Sequence, residues 1–184
     1  TTSIKPSGTV SLLNGSTPGI HYPEAEYYIR RIRFSVGNRI LQAIEEAGYP
    51  IEEDAYSPNT MVASFPVHEP FFQKGKNEAS LWEQLEIAAA YQHYWADNSV
   101  SVTVTFKADE ARDIKTALEM YESRLKAVSF LRYQETGYEQ APYEPITKKE
   151  YEKMTKGITP IKRIETEQQG AGTVFCDGDS CEIA

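Results

Sequence analysis

The amino-acid sequence predicts an α/β protein, and three observations carry that expectation. Four stretches rich in β-branched and aromatic residues are separated by three stretches whose apolar residues recur every three or four positions. The clearest strand, Ser99 to Phe106, alternates valine with serine or threonine. Strand, helix, strand, helix, strand, helix, strand is an order that implies parallel pairing through right-handed crossovers, hence an α/β sheet or barrel.

Taken along the chain, Tyr27-Tyr-Ile-Arg-Arg-Ile-Arg-Phe34 is the first strand, aromatic and β-branched with interleaved basic residues. Val36, Ile40, Leu41, Ile44 and Ala47 then follow at helical spacing, and Gly48 supplies the stop. Thr60 to Phe65 is a second, mostly apolar strand closed by Pro66. Ser80-Leu-Trp-Glu83 matches a capping box, in which each side chain satisfies the other residue's free backbone N–H. Leu81, Leu85, Ala88, Ala89 and the Tyr91–Trp95 region continue that helix.

The third strand, Ser99 to Phe106, has one apolar face and one face of hydroxyls. A parallel strand is normally apolar on both faces. The hydroxyls fit either an edge strand facing water or a strand lining a polar interior. Asp109 opens the next helix, with Ala111, Ile114, Leu118, Tyr121 and Leu125 as its apolar stripe. Ala127 to Arg132 is the fourth strand, and residues 137–145 are loop. Thr147-Lys-Lys-Glu150 offers a second capping box, for a short helix ending near Met154. Residues 155–184 lack any apolar period and are expected to form a flexible tail, leaving residues 1–154 as the folded part.

Composition bounds the function. The chain has 184 residues, 40% of them hydrophobic and 25% charged, enough for one sizeable core and against wholesale disorder. Its formal net charge of -8 does not suit duplex nucleic acid or an anionic membrane surface. No apolar run approaches the length of a bilayer span, so the expectation is a soluble, cytoplasmic protein. The chain opens on Thr1 and enters structured-looking sequence at once, which suggests the back part of something longer.

Both cysteines fall in the tail, as Cys176-Asp-Gly-Asp-Ser-Cys181. Closing so short a loop removes little chain entropy, and two thiols are too few for a zinc site. A reversible dithiol on a mobile arm remains, beside the bland reading of inert cysteines. The acidic neighbours Asp177, Asp179 and Glu182 raise the thiol pKa values by like-charge repulsion.

At the other end, Lys5-Pro-Ser-Gly-Thr9 precedes residues that could begin a helix. Pro6 stiffens the loop, Gly8 permits close backbone approach, and Ser7 and Thr9 can donate to oxyanions. The same residues also make an ordinary turn, and no P-loop lysine follows. His21, His68 and His93 lack metal-ligand spacing and carry no assigned chemistry.

These ends share one resemblance. Thr1-Thr-Ser-Ile-Lys-Pro-Ser-Gly-Thr-Val-Ser-Leu-Leu13, with Gly15 to His21 and Tyr27-Tyr-Ile-Arg-Arg31, resembles the C-terminal part of adenosylcobalamin-dependent (class II) ribonucleotide reductases. It is most similar to the monomeric type that acts on ribonucleoside triphosphates. Tyr94 to Phe106, Gln140-Ala-Pro-Tyr-Glu-Pro145 and the terminal Cys-x4-Cys fit the same family.

The resemblance implies the C-terminal half of a ten-stranded α/β barrel, adenosylcobalamin as cofactor and a ribonucleotide as substrate. Pro6, Ser7, Gly8 and Thr9 would bind the substrate phosphates. Cys176 and Cys181 would shuttle electrons from a thioredoxin-type partner to the active-site disulfide. The radical-bearing and reducing cysteines of the family would lie in the remainder of the reductase chain, so this segment alone would be inert. A free-standing phosphoryl-ligand module with a thiol switch is the alternative.

Overall fold

The computed structural model describes residues 1–7, 11, 16–133 and 139–161. Gly8, Thr9, Cys176 and Cys181 lie outside the described residues. In chain order come β1 (Tyr27–Ser35), α1 (Arg39–Glu46), β2 (Ile51–Glu53), β3 (Thr60–His68) and α2 (Leu81–Tyr94). They are followed by β4 (Thr103–Phe106), a 3-10 turn (Glu110–Asp113) that runs into α3 (Ile114–Tyr121), β5 (Ser129–Arg132), β6 (Tyr143–Pro145) and α4 (Lys148–Thr155). None of the helices among the described residues is long and apolar enough to cross a membrane.

The α/β class holds, but the pairing is mixed. One sheet is antiparallel, of order β2-β3-β1-β6, with Tyr27 opposite His68 and Ser35 opposite Thr60. Of the named strands among the described residues, β4 and β5 pair in parallel, connected through α3. Ile4 extends that patch as a parallel bridge to Val100.

Uniform parallel pairing is therefore corrected, and β2 supplies the reason. This strand, too short to show a period, pairs antiparallel with β3 and turns the chain back before it meets β1. Asn59, at φ +61, takes the left-handed conformation at that reversal. The described residues form two open sheets.

The β3 strand continues through Pro66, where the sequence suggests an end. The N–H of Ser64 points to the β2 side, where it donates to Pro50 O at 2.9 Å. Pro66 has the same parity but lies beyond β2, so the missing N–H faces an unpaired side. Asn38 caps α1 by accepting from Ile40 N at 3.0 Å. The chain after α4 closes on the other end of α1, with Thr159 N donating to Ala47 O at 2.9 Å. A Cβ on Gly48, already at φ +89, would meet Gly157 O at 3.0 Å. The described part of the expected tail, residues 155–161, thus finishes α4 and continues beside α1; residues 162–184 are outside the described set.

The main core joins α2, β4 and α3. Leu81, Leu85, Ala88 and Ala89 pack on Val102, Val104, Ala117 and Tyr121. On α3 the stripe is shifted, because Ala117 turns inward while Leu118 is 47% exposed. The small Ala117 side chain permits close approach of α3 to the sheet. Substituting Leu85, which is 1% exposed, by alanine is expected to cost about 2–5 kcal/mol. Val36→Ala, at a position 58% exposed, should shift the denaturant midpoint by no more than about 0.5 kcal/mol in equivalent stability.

Candidate functional site

The site is organised by β4. On one side β4 pairs with β5; on the other, side chains supply the missing partners. Gln84 of α2, 8% exposed, faces Thr105 as a strand would: its Nε2 donates to Thr105 O at 2.8 Å and its Oε1 accepts from Thr105 N at 2.9 Å. Two turns further along α2, Gln92 donates to Ala96 O and Asn98 O, each at 2.9 Å, and accepts from Val100 N at 3.1 Å. Ser101 N donates to Ile4 O at 2.9 Å.

His21 completes the series. Thr103 N can only donate, so the ring Nε2 at 3.0 Å must accept, and the proton sits on Nδ1, 2.7 Å from Pro18 O. The imidazole is thus neutral, with both nitrogens held by backbone. Residues 16–24 form a strap with further anchors. Tyr22 donates to Glu83 Oε1 at 2.7 Å, Lys76 N donates to Pro23 O at 2.9 Å, and Lys76 pairs with Glu24.

Glu83 departs from the expected capping box. Ser80 does accept from Glu83 N at 3.2 Å, but the Glu83 carboxylate is taken by Tyr22 and by Lys74, whose Nζ lies 2.5 Å away. The free Leu81 N is capped from a distance by Glu110, at 2.8 Å. Hydrogen bonds from Lys74 and then Tyr22 hold the Glu83 carboxyl below its ordinary range. Burial and then the Glu83 carboxylate push the Tyr22 phenol up to about 12. At Thr147 the expected box is complete, with both reciprocal bonds to Glu150 present.

Two cavities flank the strap. One, of about 210 Å³, lies between the two sheets and is bounded by His21, Lys76, Tyr28, Tyr143, Thr103 and Thr105. Tyr28, 2% exposed, donates to buried Glu69 at 2.8 Å on its margin. Burial and this bond hold the Tyr28 phenol well above its ordinary range. Thr103 and Thr105 border this cavity while Val102 and Val104 face the core, so the two faces of the strand meet different surroundings. The second cavity, about 590 Å³, opens between the strap, Phe71, Phe72, Lys74 and Tyr91.

The antiparallel sheet meets this arrangement through three arginines of β1. Arg33, Arg31 and Arg30 donate to the successive carbonyls of Gln140, Ala141 and Pro142 at 3.1–3.2 Å. Arg30 also lies 4.5 Å over the Tyr143 ring. The segment that the sequence leaves as loop is therefore pinned, and its end becomes β6.

Of the expected phosphate-loop residues, Pro6 and Ser7 are described. They follow directly on the Ile4 bridge, at the C-terminal end of a short parallel partner of β4. A Cβ on Gly19 would lie 3.4 Å from Pro6 Cα, so loop and strap touch backbone to backbone. Ser7 Oγ accepts from Ser11 N at 3.2 Å, which leaves the hydroxyl proton free to be donated. The structure thus brings Pro6 to the strap, with Ser7 next along the chain.

His21, Gln84, Tyr28 and Glu69 are the residues sequence reasoning missed. Gln84 carried a signal, as an amide within the apolar stripe of Leu81, Leu85 and Ala88. The histidine carried none, since Thr103, the partner that ties it to β4, lies 82 residues away.

Against known proteins, no protein-family model matches the chain. A solved structure described as a B-12 dependent (class II) ribonucleotide reductase is similar to it, with a TM-score of 0.75 and 38% identity over 85% of this chain and 22% of that one. The fold thus has its counterpart in a segment of that class of enzyme. More particularly, the chain is 40% identical to the adenosylcobalamin-dependent ribonucleoside-triphosphate reductase of Euglena gracilis, over 98% of this chain and 26% of the relative. It is 41% identical to a probable one from Dictyostelium discoideum and 38% to that of Lactobacillus acidophilus, in each case over 99% of its length. The resemblance expected from the sequence holds, and the chain spans about a quarter of the length of the curated relatives it matches.

The two cavities do not suit the corrin cofactor of those relatives. The one between the sheets is smaller than the ~300–1,000 Å³ of ordinary ligand pockets. On the wider one, Lys74 and Glu83 are paired with each other and both His21 nitrogens are engaged.

Tyr22 provides a test of the strap. Its phenol keeps its proton in the folded chain above the ordinary value of 10, so the contribution to stability is complete below pH 10 and is lost as pH rises towards 12. Tyr22→Phe should remove that loss, measured as the denaturant midpoint between pH 9 and pH 12 (about the range that brackets both values). Spectrophotometric titration should show one phenolate fewer near pH 12.

Proposed function

We propose that this chain is the phosphate-binding and electron-delivering segment of an adenosylcobalamin-dependent ribonucleoside-triphosphate reductase. The observation that carries the reading is its similarity, at about 40% identity over nearly its whole length, to enzymes of that name. The two open sheets are part of the family's ten-stranded barrel, closed by strands from the remainder of the reductase chain. Adenosylcobalamin supplies radical initiation when bound to the whole enzyme, through contacts that depend largely on the remainder of the reductase chain.

Pro6, Ser7, Gly8 and Thr9 receive the substrate phosphates. Ser7 donates its hydroxyl proton, Pro6 holds the loop against Gly19, and Gly8 and Thr9 add close backbone N–H groups and a second hydroxyl. The acidic balance of the chain favours a confined site of this kind over a broad positive surface.

Cys176 and Cys181 return the enzyme to its reduced state. Turnover converts a ribonucleotide to a 2′-deoxyribonucleotide and leaves a disulfide in the barrel. A tail thiolate attacks it, forming a mixed disulfide and releasing one barrel thiolate, which takes a proton. The second tail thiol gives up its proton and displaces the other barrel sulfur. Two electrons have then moved inward and the tail holds a disulfide. A thioredoxin-type dithiol reduces it by the same exchange.

The free-standing module is less well supported. Phe71, Tyr94, Trp95 and Leu131 are all exposed, an apolar surface that suits contact with further protein. Replacing Cys176 and Cys181 by serine in the full-length reductase should lower thioredoxin-driven turnover by more than about 100-fold, with dithiothreitol-driven turnover retained because a small dithiol reaches the barrel directly. Unchanged thioredoxin-driven activity would remove the shuttle assignment.

A further inference from the structure

We propose that His21 is a positioning residue for Pro6 and Ser7 of the phosphate loop, acting through the strap of residues 16–24. The inference rests on assigning Pro6–Thr9 to the substrate phosphates. Both ring nitrogens are bonded to backbone, to Pro18 O and Thr103 N, so neither is free to meet a reacting atom. What the ring does is hold one piece of backbone against another.

The geometry runs in a short chain of contacts. Thr103 opens β4, whose position is set by β5 and by Gln84. His21 ties the Pro18–His21 turn to that fixed strand, and His21 N closes the same turn onto Pro18 O at 3.2 Å. Within the turn, Gly19 takes φ +60 and presents bare backbone to Pro6, where a methyl group would lie 3.4 Å from Pro6 Cα and 3.5 Å from Lys5 O. Lys5 is held in turn by its bond to Ser101 Oγ at 2.8 Å. Pro6 therefore rests against a turn that His21 ties to β4. On the far side, Tyr22 and Pro23 are held by Glu83 and Lys76 N, so the strap can yield at His21 without detaching.

Removing the ring leaves Thr103 N unpaired at the cavity and leaves Gly19 without its brace. A displacement of the loop weakens phosphate binding in ground state and transition state alike, which raises KM with little change in kcat. Glutamine in place of His21 can still offer an oxygen to Thr103 N, and part of the effect should be recovered.

The test uses the full-length reductase carrying this segment. His21→Ala is expected to raise KM for the ribonucleoside triphosphate about 10-fold, with kcat within about 3-fold. Competitive inhibition by inorganic tripolyphosphate should weaken by the same factor, and His21→Gln should lie between the two. Gly19→Ala, which keeps the histidine but puts a side chain at φ +60 and so strains the turn beside Pro6, should give the same pattern and serves if His21→Ala fails to fold. Ser7→Ala tests the loop assignment itself. Weaker tripolyphosphate binding in Ser7→Ala with none in folded His21→Ala or in Gly19→Ala overturns the positioning role while the loop stands. Unchanged tripolyphosphate binding in Ser7→Ala overturns the loop assignment, and the positioning role falls with it. A fall in kcat of His21→Ala without loss of tripolyphosphate binding also overturns the proposal.

Discussion

A β-strand with a partner on one side only must satisfy the backbone groups of its other side, and an unpaired buried N–H costs about 1–3 kcal/mol. In this protein β4 meets that requirement with side chains. Gln84 takes both polar groups of Thr105, His21 takes Thr103 N and Gln92 takes Val100 N. The remaining N–H of the series, Ser101, goes to Ile4. Each of these side chains fixes another part of the chain relative to β4. Gln84 and Gln92 fix the depth and rotation of α2, and His21 fixes the strap.

Much of the architecture follows from that constraint. With α2 held, Leu81, Leu85, Ala88 and Ala89 are directed at Val102 and Val104, and α3 seals the core through Ala117 and Tyr121. The alternation of β4 then sends Thr103 and Thr105 to the opposite face, where the antiparallel sheet brings Tyr28 and Tyr143. That sheet is held by a different device. Three arginines on β1 take three consecutive carbonyls of the 140–142 segment, and the Arg33 guanidinium also pairs with Asp54 at 3.1 Å. Two polar clamps, one of amides and one of guanidiniums, thus define a cavity with hydroxyls on one wall and phenols on another.

Where local sequence and tertiary packing agree, the elements were legible. Asn38, Ser80 and Thr147 mark helix starts by side chains that reach only two or three residues ahead. Where a residue answers to something distant, local pattern misled. Glu83 has the spacing of a capping partner, yet Tyr22 and Lys74 claim its carboxylate and Glu110 takes over part of the capping. Leu118 has the spacing of a core residue, yet the close approach of α3 favours Ala117. Pro66 reads as a strand end, yet it lies beyond the reach of β2, where no N–H is needed.

Sequence alone determined the helix starts at Ser80 and Thr147, the two-faced character of Ser99 to Phe106, and the kinship signalled by Lys5-Pro-Ser-Gly-Thr9 and the terminal thiols. These depend on neighbours within a few positions, or on a motif that survives as a string of letters. Tertiary structure decided the direction in which β1 and β3 pair, the placement of Thr103 and Thr105 beside a cavity and the bond from Thr103 N to His21. Each of the last group depends on groups brought together from far apart in the chain, about which a residue's local neighbours carry no information.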